Sequence, residues 1–489
     1  MNLNKLIANM ENATIYGNKE IDITAVVYDS RNVAPGSLFV CIKGYSFDGH
    51  SYIKKAIEDG AKAIVVEDMP VVYDENITFI HVDDTREALA ILAAAWFDYP
   101  AKKMTMIGLT GTKGKTTTAH MIKKILEEDG KVVGMIGTIG AYIGDEKIPT
   151  KNTTPESYEL HSLFHQMVEK GCSHVVMEVS SQGLKLKRTH GIQFNYGAFL
   201  NISPDHISPN EHKDFDEYMN CKKIMFSQCD LAIVNTDADL WDEISCDCKN
   251  RFTVSCERDA DIMAQDINNK WSKGFLGVSY KTVGKLIGEF GLNMPGVYNV
   301  QNALIASTIC SFEKVDNQTI NSALAKVSVR GRTEVVREAA DITTVVIDYA
   351  HNAISTESLL STLKSYQPKR LICIFGGGGN KPKQRRFDMG QAAGKYADHI
   401  IITMDNPRYE SMESINADII KGIDSEKGSY QIIDDRQEAI EYMLDNARED
   451  DIIALIGKGH EEYQEVNGTK FYFSEVEVIR NYMAKKQGE

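Results

Sequence analysis

Gly111-Thr112-Lys113-Gly114-Lys115-Thr116-Thr117 is the segment whose residue types imply chemistry most directly. Glycines let a backbone wrap an anion so that successive N–H groups point inward. A helix starting just after the loop adds the partial positive charge of its N-terminus. In such a loop Lys115 reaches the β- and γ-phosphates, and the Thr116 hydroxyl can ligate Mg²⁺. The string is a close relative of the standard phosphate loop, from which its first glycine is displaced.

Two other places carry reactive side chains. Glu178 closes the apolar run His174–Glu178, which reads as a buried strand. A carboxylate at the carboxyl edge of a parallel sheet stands where ligands bind in open α/β folds, and its oxygens suit a hard cation. Asp205-His206 follows a strand ending at Asn201, and Lys222 lies beside Lys223 in a helical stretch, Tyr218–Phe226. Taken singly, His206 reads as a loop histidine and both lysines as exposed charges. Asp405-Asn406-Pro407-Arg408 follows the apolar run His399–Thr403. Arg408 can grip a carboxylate through two parallel hydrogen bonds, while Asp405 and Asn406 can face an ammonium. Asn-Pro is also a frequent turn dipeptide.

These residues need elements to hold them. Met104–Leu109 is an apolar run fit for a buried strand, and the helix from Lys115 puts Met121, Ile122, Ile125 and Leu126 on one face. Upstream, Ser37–Ile42 and Ala63–Glu67 read as strands, with helices at Tyr52–Gly60 and Arg86–Phe97. Downstream, Thr344–Ile347, Leu371–Phe375, His399–Thr403 and Asp451–Ile456 read as strands with helical stretches between them. That alternation predicts a parallel sheet covered on both faces. Breaks at Asp98-Tyr99-Pro100 and near Val329–Arg332 divide the chain into residues 1–100, 101–330 and 331–489. Three domains also suit a length of 489 residues, with two as the fallback.

Composition narrows the partners. A net charge of −15 argues against nucleic acid or an anionic membrane surface. Nine scattered cysteines complete no zinc pattern and read as reduced thiols. The N-terminus lacks the apolar core of a signal peptide, and the longest apolar run, Ala88–Phe97, is too short to cross a bilayer. A cytoplasmic protein with no membrane insertion, acting as a monomer, is the expectation.

The motifs taken together resemble one family, the Mur ligases. TGTKGKTTT (Thr110–Thr118), MEVSS (Met177–Ser181), Asn201 with Asp205-His206, PGVYNVQNA (Pro295–Ala303), GRTEVV (Gly331–Val336) and DYAHN (Asp348–Asn352) follow the family order over nearly the whole chain. DSRNVAPGSLFV (Asp29–Val40) points to the branch that includes the tripeptide synthetases. NTTP (Asn152–Pro155), DNPR (Asp405–Arg408) and GKGHEEYQ (Gly457–Gln464) point to the MurE type.

The resemblance implies an α/β fold of three domains. These are a small mixed α/β N-terminal domain, a central phosphate-loop domain with a doubly wound sheet, and a C-terminal domain with a Rossmann-like sheet. It implies that Gly111 to Thr117, with Asn302, Arg332, Asp348 and His351, contact ATP. Mg²⁺ would be held by Thr116, Glu178, His206 and Lys222, the last as a carbamate formed with CO₂. Ser30 would lie at the uridine end, near Arg31 and the loop of Gly44 and Asp48-Gly49-His50. Thr153, Thr154, Ser180 and Arg188 would hold the sugar-peptide. The incoming diamino acid would meet Lys381, Asp405, Asn406, Arg408, Gly457 and Glu461. The implied reaction joins meso-diaminopimelate to UDP-MurNAc-L-Ala-D-Glu through an acyl phosphate. Lys115, Mg²⁺ and Arg332 would offset the charge of the transferred phosphate, with Glu178, His206 and Lys222 completing the catalytic set as ligands of that Mg²⁺.

The chain departs from the family pattern in three places. Lys381, in GGGGNKPKQRR, stands where diaminopimelate enzymes carry arginine, with Arg385 or Arg386 as candidates to replace it. Gln182 stands where a histidine follows the two serines, and PDHISPNEHKDF is longer than the usual loop. A paralogue adding L-lysine or another diamino acid, and a non-catalytic nucleotide-binding protein of the same fold, are the alternatives. A phosphate-loop ATPase moving a macromolecular partner has no basic or aromatic-interleaved tract to support it.

Overall fold

The computed structural model describes residues 1–44, 47–71, 74–205, 207–208 and 211–487. The chain is α/β as expected and forms two compact units. One holds Met1–Asp261 with Ile305–Val315, and the other holds Ile262–Leu304 with Asp316–Glu489.

The first unit contains two sheets. The smaller runs Thr14–Tyr16, Thr78–His81, Ala63–Val66, Leu38–Val40, Val26–Val27, parallel except for its first strand. Its strands are short and apolar, and Ala63–Val66 is buried at every position. The helix Thr85–Trp96 starts where the Asp84 carboxylate accepts the N–H groups of Arg86 and Glu87.

The larger sheet runs Arg251–Ser255, Cys229–Asn235, Phe194–Phe199, Thr105–Thr110, His174–Glu178, Val133–Gly137, all parallel. Two antiparallel strands, Gly140–Ile143 and Glu146–Ile148, extend its edge. Thr105–Thr110 lies in the middle with His174–Glu178 beside it, and Glu178 pairs in register with Leu109. The phosphate loop and the Glu178 carboxylate therefore leave the sheet at the same edge.

The second unit opens with an antiparallel meander, Ile262–Ser272, Phe275–Gly284, Gly288–Leu292. The sequence analysis placed no element over these residues and missed it. Asp266, Asn268, Asn269 and Lys270 interrupt the apolar pattern of its first strand. The meander packs within its own unit: the Tyr366 hydroxyl donates to the Gly277 carbonyl at 2.7 Å, and Trp271 Nε1 to Thr344 Oγ1 at 3.4 Å.

The main sheet of this unit runs Glu334–Val335, Thr344–Asp348, Asp451–Ile456, Arg370–Phe375, His399–Ile402, Tyr430–Ile432. All neighbours are parallel except the first pair. Alternate side chains enter opposite cores, as the two-residue period of a strand requires. Leu371, Cys373 and Phe375 join one core with helices Ala353–Ser365, Lys383–Tyr396 and Met412–Ser425. Ile372 and Ile374 join the other, with Arg436–Asn446 and Glu475–Gln487.

One buried ion pair latches this sheet. Arg436 and Glu475 side chains are 0% and 2% exposed, and Arg436 Nε and Nη2 donate to Glu475 Oε1 at 2.9 and 2.7 Å. The same guanidinium donates to the Ile456 carbonyl at 2.9 Å and the Met404 carbonyl at 3.3 Å. It thus ties together the ends of the two strands that lead into DNPR and GKGHE. Arg436→Met leaves a carboxylate buried without its cation and should destabilise the fold by about 3–5 kcal/mol. Thermal unfolding measures this, and an unchanged midpoint would show that the latch carries no stability.

Candidate active site

The strand Thr105–Thr110 delivers the phosphate loop, and the helix Lys115–Glu128 begins directly after it. Gly114 sits at the helix start with φ +86°, a left-handed conformation that side chains other than glycine adopt at a cost. Asn201, at the end of the neighbouring strand, braces the loop. Its carbonyl accepts from Thr112 N at 3.0 Å, its amide oxygen accepts from Lys113 N at 2.9 Å, and its amide nitrogen donates to the Lys113 carbonyl at 3.1 Å. Thr112 Oγ1 lies 2.9 Å from the Tyr218 hydroxyl.

Glu178 is buried beside the loop. Thr116 Oγ1 donates to its Oε1 at 2.9 Å, as does Thr138 N at 3.0 Å, and Thr138 Oγ1 donates to Oε2 at 3.0 Å. The expected pair of Thr116 and Glu178 is thus brought together. Thr138, which the sequence reading missed, links Glu178 onward to Thr153 Oγ1 at 3.1 Å. His206 lies outside the described residues.

The structure corrects the plain reading of Lys222 as an exposed charge. The helix Phe215–Ser227 turns it inward, leaving the residue 1% exposed. Its Nζ donates to the Gly111 carbonyl at 3.1 Å and stands 4.5 Å from the Tyr218 ring centre. Lys115 Nζ donates to the same carbonyl at 2.7 Å. Burial, reinforced by the Lys115 charge, holds the Lys222 pKa well below the usual lysine range. Lys223 and Lys222 therefore have unlike surroundings, and only the inward one meets the loop.

A cavity of about 530 Å³ in the same unit is lined in part by Lys115, Lys222, Thr153, Ser180, Arg188 and Gln182. Thr154 sits behind the wall, where its hydroxyl donates to the Glu178 carbonyl at 3.0 Å and lies 3.0 Å from Ser180 Oγ. Arg188 donates to the Thr154 carbonyl at 3.0 Å and from Nε to Glu156 Oε1 at 2.9 Å. Arg86, from the smaller sheet's helix, reaches Glu156 Oε2 at 3.5 Å. Arg86 and Glu156 line the cavity too and escaped the sequence reading, because nothing in their spacing marks them. Ser30 lies in the turn Ser30–Asn32 and is not one of the residues that line the cavity. Arg31 is paired with Asp29 there.

In the second unit, Arg332, Asp348 and His351 gather around Tyr349. The Arg332 guanidinium lies 4.9 Å from the Tyr349 ring centre, and the His351 ring 4.7 Å from it. Asp348 Oδ2 accepts from Thr333 N at 2.6 Å. Asn302 stands further along the same set, donating to Asn299 Oδ1 at 3.2 Å, while Asn299 donates to Thr333 Oγ1 at 3.3 Å. Burial first, then the Glu461 carboxylate, push the Tyr349 phenol up to about 12.

DNPR and GKGHE lie at the carboxyl ends of His399–Ile402 and Asp451–Ile456, where a parallel sheet places its ligands. Asn406 Nδ2 donates to Glu461 Oε2 at 2.9 Å, and Asp405 approaches Gly457 so closely that a Cβ there would stand 2.7 Å from its Oδ2. Arg408 has φ +53° and is held by Nη1 to the Gly379 carbonyl at 2.7 Å and by Nε to Glu465 at 3.3 Å. Lys381 is exposed, and its Cγ and Arg408 Nη1 both lie within 4 Å of where a Cβ on Gly378 would be. Arg386, one candidate to replace the family arginine, already has its guanidinium engaged. It is buried and paired with Glu410 at 2.8 Å and Asp418 at 3.2 Å, donating also to the Gly378 carbonyl at 3.0 Å.

A phosphate loop braced by the neighbouring strand, a carboxylate against its threonine, and a second parallel sheet with charged loops at its carboxyl edge define a nucleotide-using α/β enzyme. Residues 22–97, 109–310 and 331–459 match, in turn, the Mur ligase family catalytic domain, the Mur ligase middle domain and the Mur ligase glutamate ligase domain. The chain belongs to the Mur ligase family, whose members are ATP-dependent, amide-forming ligases. It is 39% identical to the UDP-N-acetylmuramoyl-L-alanyl-D-glutamate–2,6-diaminopimelate ligase of Clostridium perfringens, over 99% of this chain and 100% of that one. A solved diaminopimelate ligase of the same description superposes with a TM-score of 0.74 at 26% identity, covering 100% of this chain and 99% of that one. The MurF ligase of Thermotoga maritima, solved in complex with ADP, shares the fold with a TM-score of 0.59 at 19% identity, over 94% and 98% of the two chains.

Proposed function

We propose that this chain is the ligase joining meso-diaminopimelate to the D-glutamate of UDP-MurNAc-L-Ala-D-Glu, driven by ATP. The observation that carries this reading is the cavity in which the phosphate-loop Lys115 and buried Lys222 share walls with Thr153, Ser180 and Arg188. A carboxylate held there faces the loop that takes a γ-phosphate. Relatives named for this reaction over their full length support the same choice.

The dipeptide carboxylate attacks the γ-phosphate, ADP leaves, and an acyl phosphate forms. The amine of the diamino acid then displaces phosphate, losing a proton as the amide bond closes. Two anions must approach each other in the first step. The Lys115 ammonium and the N–H groups of the loop offset that charge, most where it builds up in the transition state. Arg332, Asp348 and His351 are proposed as further nucleotide contacts, with Asn302. Ser30 is proposed at the uridine end.

The donor set fits Mg²⁺. Thr116 and Glu178 offer oxygens 2.9 Å apart, and both residues are buried. Among the described residues no group of three His, Cys, Asp or Glu side chains is placed to hold a metal, so further oxygens must come from elsewhere. A carbamate on Lys222 would provide one. Burial favours the neutral amine, the form that adds CO₂. The anion produced would also stand beside the Lys115 ammonium, which sits on the same Gly111 carbonyl, and be offset by it. Bound there by Thr116, Glu178, the Lys222 carbamate and His206, Mg²⁺ would supply neutralising charge at the phosphates.

The amino-acid end supports a diamino acid with a distal carboxylate. Arg408 and Lys381 offer cations to the carboxylate, and Asp405 and Glu461 offer anions to the ammonium. L-Lysine lacks the carboxylate. The domain limits are proposed near residues 100 and 330. No helix among the described residues is long and apolar enough to cross a membrane. A monomer working in the cytoplasm is proposed.

The test supplies the protein with ATP, Mg²⁺ and UDP-MurNAc-L-Ala-D-Glu and measures phosphate release for single amino acids. Release with meso-diaminopimelate and little with L-lysine is expected. Release with lysine alone moves the assignment to a lysine-adding paralogue, and no release with any amino acid rejects ligation.

A further inference from the structure

Lys458 takes no part in the reaction proposed above, although its side chain is 0% exposed among the residues proposed to face the diamino acid. Its Nζ stands 3.3 Å from Asn406 Oδ1, 3.4 Å from Glu461 Oε2 and 3.9 Å from Asp405 Oδ1, with the Tyr463 ring centre at 5.5 Å. Asn406 Oδ1 also accepts from Glu465 N at 2.9 Å, and its Nδ2 donates to Glu461. The amide of Asn406 is thereby oriented at both ends, and two carboxylates share one buried cation.

Resting on the proposed diaminopimelate reaction, we infer that Lys458 is a specificity-determining positioning residue that neutralises one of the two carboxylates facing the substrate's distal ammonium. With Lys458 in place, Asp405, Glu461 and Lys458 together carry one net negative charge. That matches one ammonium, while Arg408 and Lys381 match the distal carboxylate. Without it, two negative charges face the substrate from a poorly hydrated wall, where charge differences count for more than in water. The site then favours a distal end with net positive charge, as in L-lysine, over the net neutral distal end of diaminopimelate.

Lys458→Gln keeps a donor toward Asn406 and removes the charge, and Lys458→Arg keeps the charge. The ratio of kcat/KM for L-lysine to kcat/KM for meso-diaminopimelate is measured for both and for the parent. The expectation is a rise of about tenfold or more in Lys458→Gln and a ratio near the parent's in Lys458→Arg. A general packing defect lowers both rates and leaves the ratio where it was. An unchanged ratio in a folded Lys458→Gln enzyme overturns the inference, as does an equal shift in both variants. If Lys458→Gln does not fold, Lys458→Met, which keeps the chain length and removes the charge, is read by the same ratio. Parent enzyme that fails to use diaminopimelate overturns the function proposed above instead, so the two failures are distinguishable.

Discussion

Lys115→Ala should lower the ligation rate by about 10³-fold or more while leaving the fold intact. In the structure Lys115 Nζ is held on the carbonyls of Gly111 and Thr112, at 2.7 and 3.3 Å, so the ammonium is parked against the loop that would take the phosphates. In the proposed reaction its removal would delete a cation at the loop where charge develops in transfer, and a fixed charge acts most strongly there. The fold loses little, because the lysine is half-buried and contributes no apolar core. Phosphate release at saturating ATP measures the loss. A folded Lys115→Ala protein with near-parent turnover would remove the phosphate loop from the reaction. Lys115→Arg keeps the charge but not the shape, and is expected to recover only part of the rate.

Arg408→Ala should raise the KM for meso-diaminopimelate by about 10²-fold, with kcat at saturation changing less. Two charge-assisted hydrogen bonds to one carboxylate carry that much, and in the proposed function they would be made to a part of the substrate remote from the reacting amine. Arg408 is held by the Gly379 carbonyl and by Glu465, in a left-handed backbone conformation. Residues other than glycine are strained there, which is common where a backbone is bent to aim a functional side chain. Arg408→Lys keeps a point charge without the fork and should raise KM by only about tenfold. Nearby Lys381 softens both effects, so Lys381→Ala combined with Arg408→Ala should exceed either change alone. If Arg408→Ala leaves the KM for diaminopimelate within twofold of the parent, its guanidinium does not bind the distal carboxylate.

The placement of the motifs was legible because it is local. The phosphate loop could be read from its glycines and the apolar run before it. DNPR and GKGHE could be read as loops after strands, and the structure puts both at carboxyl ends of the same parallel sheet. Pairings across long sequence distances were not legible. Thr138 bridges Glu178 and Thr153, and Asn201 holds Lys113, because neighbouring strands bring them together. The meander of Ile262–Leu292 was missed for a different reason, its first strand carrying too many polar residues to show a period of two.

By itself, the order of residues determined that this chain handles a nucleotide and that charged loops follow its buried strands, since glycine geometry and hydrophobic spacing act over a few residues. The fate of individual charges was decided only in three dimensions. Lys222 and Lys223 are chemically alike and adjacent, yet the helix buries one and leaves the other outward. Arg385 and Arg386 are indistinguishable in the sequence, and only the fold pairs the second with Glu410 and Asp418. Nothing in GKGHEEYQ sets Lys458 apart, and only the folded sheet closes it in with Asp405, Asn406 and Glu461. Burial and the choice of ion-pair partner depend on which distant segments meet, and the chemistry of a lysine or an arginine changes with both.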